Sequence, residues 1–141
     1  MGKLGKYDVH CHVGDFADAV QNQMDLYVRE LQESIPDVVD KAGKRCVQFI
    51  RAYASTAGFR DREYGKSWKV ENIMRNAWGS YIKVWSPKHY RIAHLLEHGH
   101  TKVSPSGKPL GTTKGYPHLK QAEEDSIQFL EDLLKKTIQG G

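Results

Sequence analysis

Cysteine is scarce in this chain: Cys11 and Cys46 are the only two in 141 residues. They make no disulfide framework, so free thiols in a reducing compartment are expected. Long apolar runs are missing too. None approaches the roughly 20 residues that a membrane-spanning helix needs, and no membrane partner is expected. The first twelve residues lack both an apolar centre and a small-residue cleavage site. A secretory leader is therefore not expected, and the protein should begin its life in a cytoplasm. Nor is there a large excess of one charge. Lys and Arg number 21 against 17 Asp and Glu, a net +4. A dedicated nucleic-acid module usually gathers its surplus into one stripe, and here the charges are mostly interspersed. Hydrophobic residues make up 39% of the chain. That suffices for one modest core, but not for a barrel or a doubly wound sheet around a buried cleft. There are no internal repeats, and no linker divides the chain.

What is present begins with helical periodicity. From Phe16 to Tyr53 apolar residues recur at intervals of three and four, through Val20, Met24, Tyr27, Leu31, Ile35, Val38, Ala42, Cys46 and Phe49. This predicts one face of a long amphipathic helical region. Asp15 suits its N-cap, and Asp18 lies near the positive end of the dipole. Pro36 interrupts the pattern, and Ser34 can cap a second helix with Asp37 three residues on. Two consecutive helices, or one long helix kinked near Pro36, are both consistent with this. Residues 54–66 have no clear period and read as a loop. Alternation around Trp68 and Val70, and again around Ile82 and Val84, predicts two half-buried strands. A turn over 76–80 would join them as an antiparallel hairpin, and Pro87 ends the second. Residues 89–98 read as a short helix stopped by Gly99.

Residues 99–116 are dense in Gly, Pro, Ser, Thr and Lys, and predict a long loop of a length that is generally functional or disordered. Too few apolar residues lie there to order it without a partner. Pro117 suits the first turn of a last helix. That helix should bury Leu119, Ala122, Ile127, Leu130, Leu133 or Leu134, and Ile138. The expected fold is α+β: a long N-terminal helical region, a hairpin or small sheet, a short helix, a long loop and a C-terminal helix. Residues 1–14 read as an arm that need not be ordered, and 15–141 as a single domain. Trp68, Leu96, Leu119 and Leu130 are its expected core.

Three motifs invite a chemical reading. Asp8-Val9-His10-Cys11-His12 resembles the metal-binding strand of amidohydrolases, since histidines two apart on a strand point the same way. That chemistry, however, sits at the mouth of a barrel far larger than this chain can build. His94-x-x-Glu97-His98 fits the H-x-x-E-H arrangement of inverted zincins, with two histidines one helical turn apart and Glu97 as general base. A small zinc-dependent hydrolase is thus one alternative. It would need a third ligand and a substrate cleft, and no distal acidic motif supplies the ligand. Lys102, Lys108 and Lys114 make residues 99–116 basic, and no acid lies between Glu97 and Glu123. A basic nucleic-acid-binding module is the second alternative. No aromatic residue interleaves before Tyr116, so base stacking is poorly supported.

Taken in order, the landmarks over roughly 15–138 resemble the small head–tail joining and tail-completion proteins of long-tailed bacteriophages. One piece is a long helical region followed by a Thr-Gly turn and a Ser-Trp strand start, here Thr56, Gly58, Ser67 and Trp68, with Ala57 inserted in the turn. The next is a Tyr-initiated short helix ending in Glu-x-Gly, here Tyr90 to Glu97-His98-Gly99. The last is a Gly/Pro-rich loop closing on an aromatic, then Pro, then an acidic helix, here Tyr116, Pro117, Glu123 and Glu124. The resemblance implies a structural virion protein rather than an enzyme, without cofactor or metal, assembled in the host cytoplasm. It would act as a homo-oligomeric ring, commonly a hexamer, between the major tail protein and the head connector or head-closure proteins, with non-specific proximity to DNA in the channel. Lys102, Lys108, Lys114 and Tyr116 are the candidate interface residues.

Overall fold

The computed structural model describes residues 13–59, 61–76 and 79–140. A 3-10 turn, Val13–Asp15, leads into α1, Phe16–Thr56. At 41 residues and 1.5 Å per residue this helix is about 60 Å long. It is one uninterrupted helix through Pro36, so of the two sequence readings the single long helix is the one adopted. Ser34 does not cap a second helix. Its hydroxyl donates back to the Glu30 carbonyl 2.8 Å away, as a mid-helix serine does. Asp15 stands at the N-cap position without a side-chain capping bond.

Residues 54–66 are not a loop throughout. The first helix runs on to Thr56, and α2 occupies Arg62–Ser67. Asp61 caps it, accepting from the Glu63 and Tyr64 N–H groups at 2.9 and 3.4 Å. An Asp before a short helical turn is a legible start signal, but one turn is too short to show a period. Next come β1, Lys69–Asn76, and β2, Gly79–Trp85, paired antiparallel from Lys69↔Trp85 to Asn76↔Gly79 with a bulge between Asn72 and Met74. The expected hairpin is there. Its first strand is more exposed than expected, with Val70 alone partly buried. The hairpin lies on α1 because Gly43 has no side chain: a Cβ there would overlap Ile82 Cδ1 and sit 3.1 Å from Val70 Cγ1. Further out, Arg75 bridges to Asp37 at 2.5 Å and Asp40 at 2.6 Å on the same helix.

After a turn come α3, Ala93–His98, then β3, Thr101–Val103, and β4, Pro109–Thr112. The chain closes with α4, Leu119–Ile138. Gly99 stops α3 as expected, with φ at +75° and its N–H donating to the Leu95 carbonyl. Pro117 lies just before α4 rather than in its first turn, and His118 takes the N-cap position. The last helix runs antiparallel to α1. Tyr53 bonds Asp125 near one end, and the Tyr27 hydroxyl donates to the Ile138 carbonyl at 2.7 Å near the other.

The core gathers around the C-terminal half of α1. Val47, Ile50, Tyr64, Trp68, Ala93 and Ala122 are buried together, with Phe49, Phe59, Leu96 and Leu119 packed against them. Leu130 is half-buried on α4. Two residues expected to be buried on that helix, Ile127 and Ile138, are exposed. Position on an apolar stripe says which face a residue occupies. It does not say how squarely that face is turned to the neighbouring helix.

Candidate assembly surfaces

The H-x-x-E-H match is resolved by where Glu97 points. His94 and His98 are exposed, while Glu97 is buried. Its carboxylate caps α4: Oε2 accepts from the His118 and Leu119 N–H groups at 2.6 and 2.8 Å, and Oε1 from Lys120 N–H at 3.1 Å. These are three of the donors that a helix N-terminus leaves unsatisfied. Burial pushes the carboxyl pKa up, but the three backbone donors outweigh it and hold the group below its usual range. The His118 imidazole is fully buried. Its Nδ1 faces the Tyr116 carbonyl, and its Nε2 lies 2.7 Å from the Tyr64 hydroxyl. With Nδ1–H donating to the carbonyl, Nε2 accepts from Tyr64. Tyr64 keeps its proton, since burial pushes its pKa to about 12. Glu97, His118 and Tyr64 thus pin α3, α4 and α2 together. A carboxylate committed to capping is not available as a general base. Among the described residues, no three His, Cys, Asp or Glu side chains group closely enough to hold a metal ion. Residues 8–12 lie outside the described residues, as does most of the arm read over 1–14.

The same pin plants the base of the β3–β4 ribbon. Tyr116 N–H donates to the Leu96 carbonyl, and the Tyr116 ring packs 5.3 Å from Phe59. Gly99 and Gly115 let the two legs cross the end of α3 at close range; a Cβ on Gly99 would overlap the Thr113 carbonyl oxygen. Above that crossing, His100 and Thr113 bond each other through backbone and side chain. At the tip Ser104 N–H donates to the Lys108 carbonyl at 2.9 Å, and Gly107 N–H to the Ser104 carbonyl at 2.8 Å. The segment expected to be a loop ordered by a partner is therefore a hairpin held by its own backbone bonds. Its polar composition hid this, because a two-stranded ribbon needs turn chemistry rather than apolar content. Lys102, Lys108 and Lys114 are all exposed on it, and so are Val103 (60%) and Leu110 (64%). Tyr116 belongs to the anchor, not to the projecting part.

At the far end of the molecule is a second surface that none of the described residues covers. The apolar seam that α4 covers from Tyr27 onward continues bare over the first turns of α1, where Phe16 (64% exposed), Val20 and Met24 face solvent. Periodicity alone places these residues on the same stripe as the buried ones. A third feature is an open groove of about 590 Å³ between α1 and α2, lined by Arg51, Asp61, Arg62 and Lys66 among others. Arg51 is already engaged there by the Gly65 and Trp68 carbonyls.

A family model described as "Bacteriophage HK97-gp10, putative tail-component" matches residues 18–99. The chain belongs to the HK97-gp10-like family. The match runs from the first turns of α1 to the glycine that ends α3, and takes in the hairpin and Glu97. The ribbon and α4 lie beyond it. No curated protein and no solved structure matches the chain. Membership makes this a structural protein of the phage tail, working among other virion proteins. In this chain the cap on α4 accounts for Glu97 within the H-x-x-E-H spacing. No helix among the described residues is long and apolar enough to cross a membrane.

Proposed function

We propose that this HK97-gp10-like protein completes the tail or joins it to the head, as a homo-oligomeric ring, a hexamer in the virion, at the junction of tail tube and neck. The family match carries the reading. Two physical features support it. The domain has limited surface to bury alone, and it presents two different unpartnered surfaces at opposite ends of a long helix. A heterologous contact between unlike surfaces repeats from subunit to subunit, and forms a ring where its rotation closes. Among the described residues the β1–β2 hairpin pairs with no third strand, which suits it to pairing with a neighbour. On this reading the ring meets the major tail protein on one face and the head connector or closure proteins on the other, and its lysines lie near channel DNA without reading sequence. Residues 15–141 act as one unit in it.

The experiment is to cross-link purified particles with a lysine-reactive reagent and to label the protein by immunogold. A ladder ending at one discrete oligomer, with label at the head–tail junction, is expected. Monomer-sized adducts only, or label along the tube or at the distal tip, would refute the proposal. Replacing 101–112 with a short Gly/Ser linker should leave the isolated protein folded, because closing a short loop changes stability little. It should also leave full heads and separate tails, or tails of uncontrolled length. Normal infectious particles from that variant would remove the ribbon from the interface.

A further inference from the structure

The ring reading leaves open which surfaces meet. We infer that the β3–β4 ribbon of one subunit docks on the bare first turns of α1 of the next. The inference rests on that reading and specifies its contact.

Three observations point to this pairing. The first is location. The ribbon is planted beside Phe59 and the start of α4, near the Tyr53 end of α1. Phe16 and Val20 lie at the other end, roughly 50 Å away at 1.5 Å per residue. The two surfaces therefore cannot meet within one chain, but can meet head to tail between chains. The second is charge. Residues 13–34 carry Asp15, Asp18, Asp25, Glu30 and Glu33 against Arg29, and Lys135 and Lys136 in the adjoining last turn of α4 offset only part of that excess, whereas residues 99–116 carry three lysines and no acid. Two copies of the α1 end would repel each other, as would two ribbons; each attracts the other. The third is apolar content. The α1 seam is bare over Phe16, Val20 and Met24, and the ribbon exposes Val103 and Leu110 between its lysines. Lysine stems can lie along the seam while their ammonium groups reach acids on its flanks. Contacts with an apolar centre and a charged rim are the common form of a specific interface.

Charge reversal and rescue test this in the phage. Lys102→Glu with Lys108→Glu should lower infectious titre by about 100-fold, roughly tenfold for each reversed charge. Adding Asp15→Lys and Asp25→Lys to the same chain should restore at least about a tenfold share of the loss. All four positions are exposed, and urea midpoints of the purified variants check that folding is intact. Unchanged titre in the ribbon variant, or a loss that the helix reversal does not rescue, would overturn the contact. Hydrogen exchange gives a second readout that does not depend on substitution. Residues 16–28 and 99–116 should gain protection together on passing from free protein to assembled tails. Protection of the helix with the ribbon still exchanging freely would mean that another occupant covers the seam, and would also overturn the contact. A cross-linking ladder in wild-type particles without charge rescue defeats only this contact. The absence of any ladder defeats the ring itself.

Discussion

Replacing Glu97 separates a structural carboxylate from a catalytic one, and its cost can be worked from the structure. Glu97→Ala removes the acceptor for three backbone N–H groups at the start of α4. Lys120 is exposed and water can reach its N–H, but His118 is fully buried and Leu119 half-buried. Leaving a buried donor unsatisfied costs about 1–3 kcal/mol, so two cost about 2–6 kcal/mol. Removing a buried carboxylate returns part of that through relieved desolvation, leaving a net loss of about 3 kcal/mol. That is a large share of the roughly 5–15 kcal/mol a domain of this kind has. With a urea slope of about 1.5–2 kcal/mol per M, the midpoint should fall by about 1.5–2 M. Glu97→Gln should fall between, because one side-chain oxygen still accepts while the amide NH2 opposes the remaining donors. His94→Ala and His98→Ala should stay within about 0.5 kcal/mol of the parent. The sign of the pH dependence follows from the lowered carboxyl pKa. The stabilisation is fully present above the ordinary glutamate value of about 4.3 and is lost as pH falls through the lower folded value. Parent and Glu97→Ala should therefore differ most near neutrality and converge in acid. Equal midpoints at neutral pH, or a midpoint that drops in His94→Ala as far as in Glu97→Ala together with loss of stoichiometric zinc, would refute the capping argument.

The remaining expectations use the same denaturant assay. Trp68→Ala should cost about 3–5 kcal/mol and the half-buried Leu96→Ala toward the lower end of about 2–5 kcal/mol; unchanged midpoints in both would contradict the core assignment. Gly99→Ala should destabilise by about 2 kcal/mol, since φ of +75° disfavours a side chain and a Cβ meets the Thr113 carbonyl. It should also raise amide exchange at the base of the ribbon, and unaltered exchange there would count against the crossing. Pro36→Ala should raise Tm: proline in a helix interior costs about 3 kcal/mol relative to alanine, which exceeds what burial of its ring contributes. A lowered Tm would show that the ring packing at that position outweighs the lost hydrogen bond.

The local grammar of this chain was legible from residue order. Spacing of three and four over 16–53 specified a long helix, alternation around Val70 and Ile82 specified a hairpin, and Gly99 specified a helix stop. Each depends on near neighbours, so each can be read without knowing what lies across the fold. The family landmarks were legible for the same reason, since they are turns and caps at fixed offsets. What tertiary structure decided is which faces are covered. The seam from Phe16 to Tyr53 is continuous in sequence, yet α4 is about half as long as α1 and covers only part of it, so Phe16, Val20 and Met24 are exposed. Pro36 allowed either one helix or two. Which of them formed was settled by packing against α4 and the hairpin, which outweighs a local penalty. Glu97 offered two chemistries in sequence, general base or cap, and the approach of the α4 N-terminus from 21 residues away selected the cap. The ribbon looked featureless because its order rests on bonds between residues 101–112 and on two glycines at its base, contacts whose partners become neighbours only after the chain has turned back on itself.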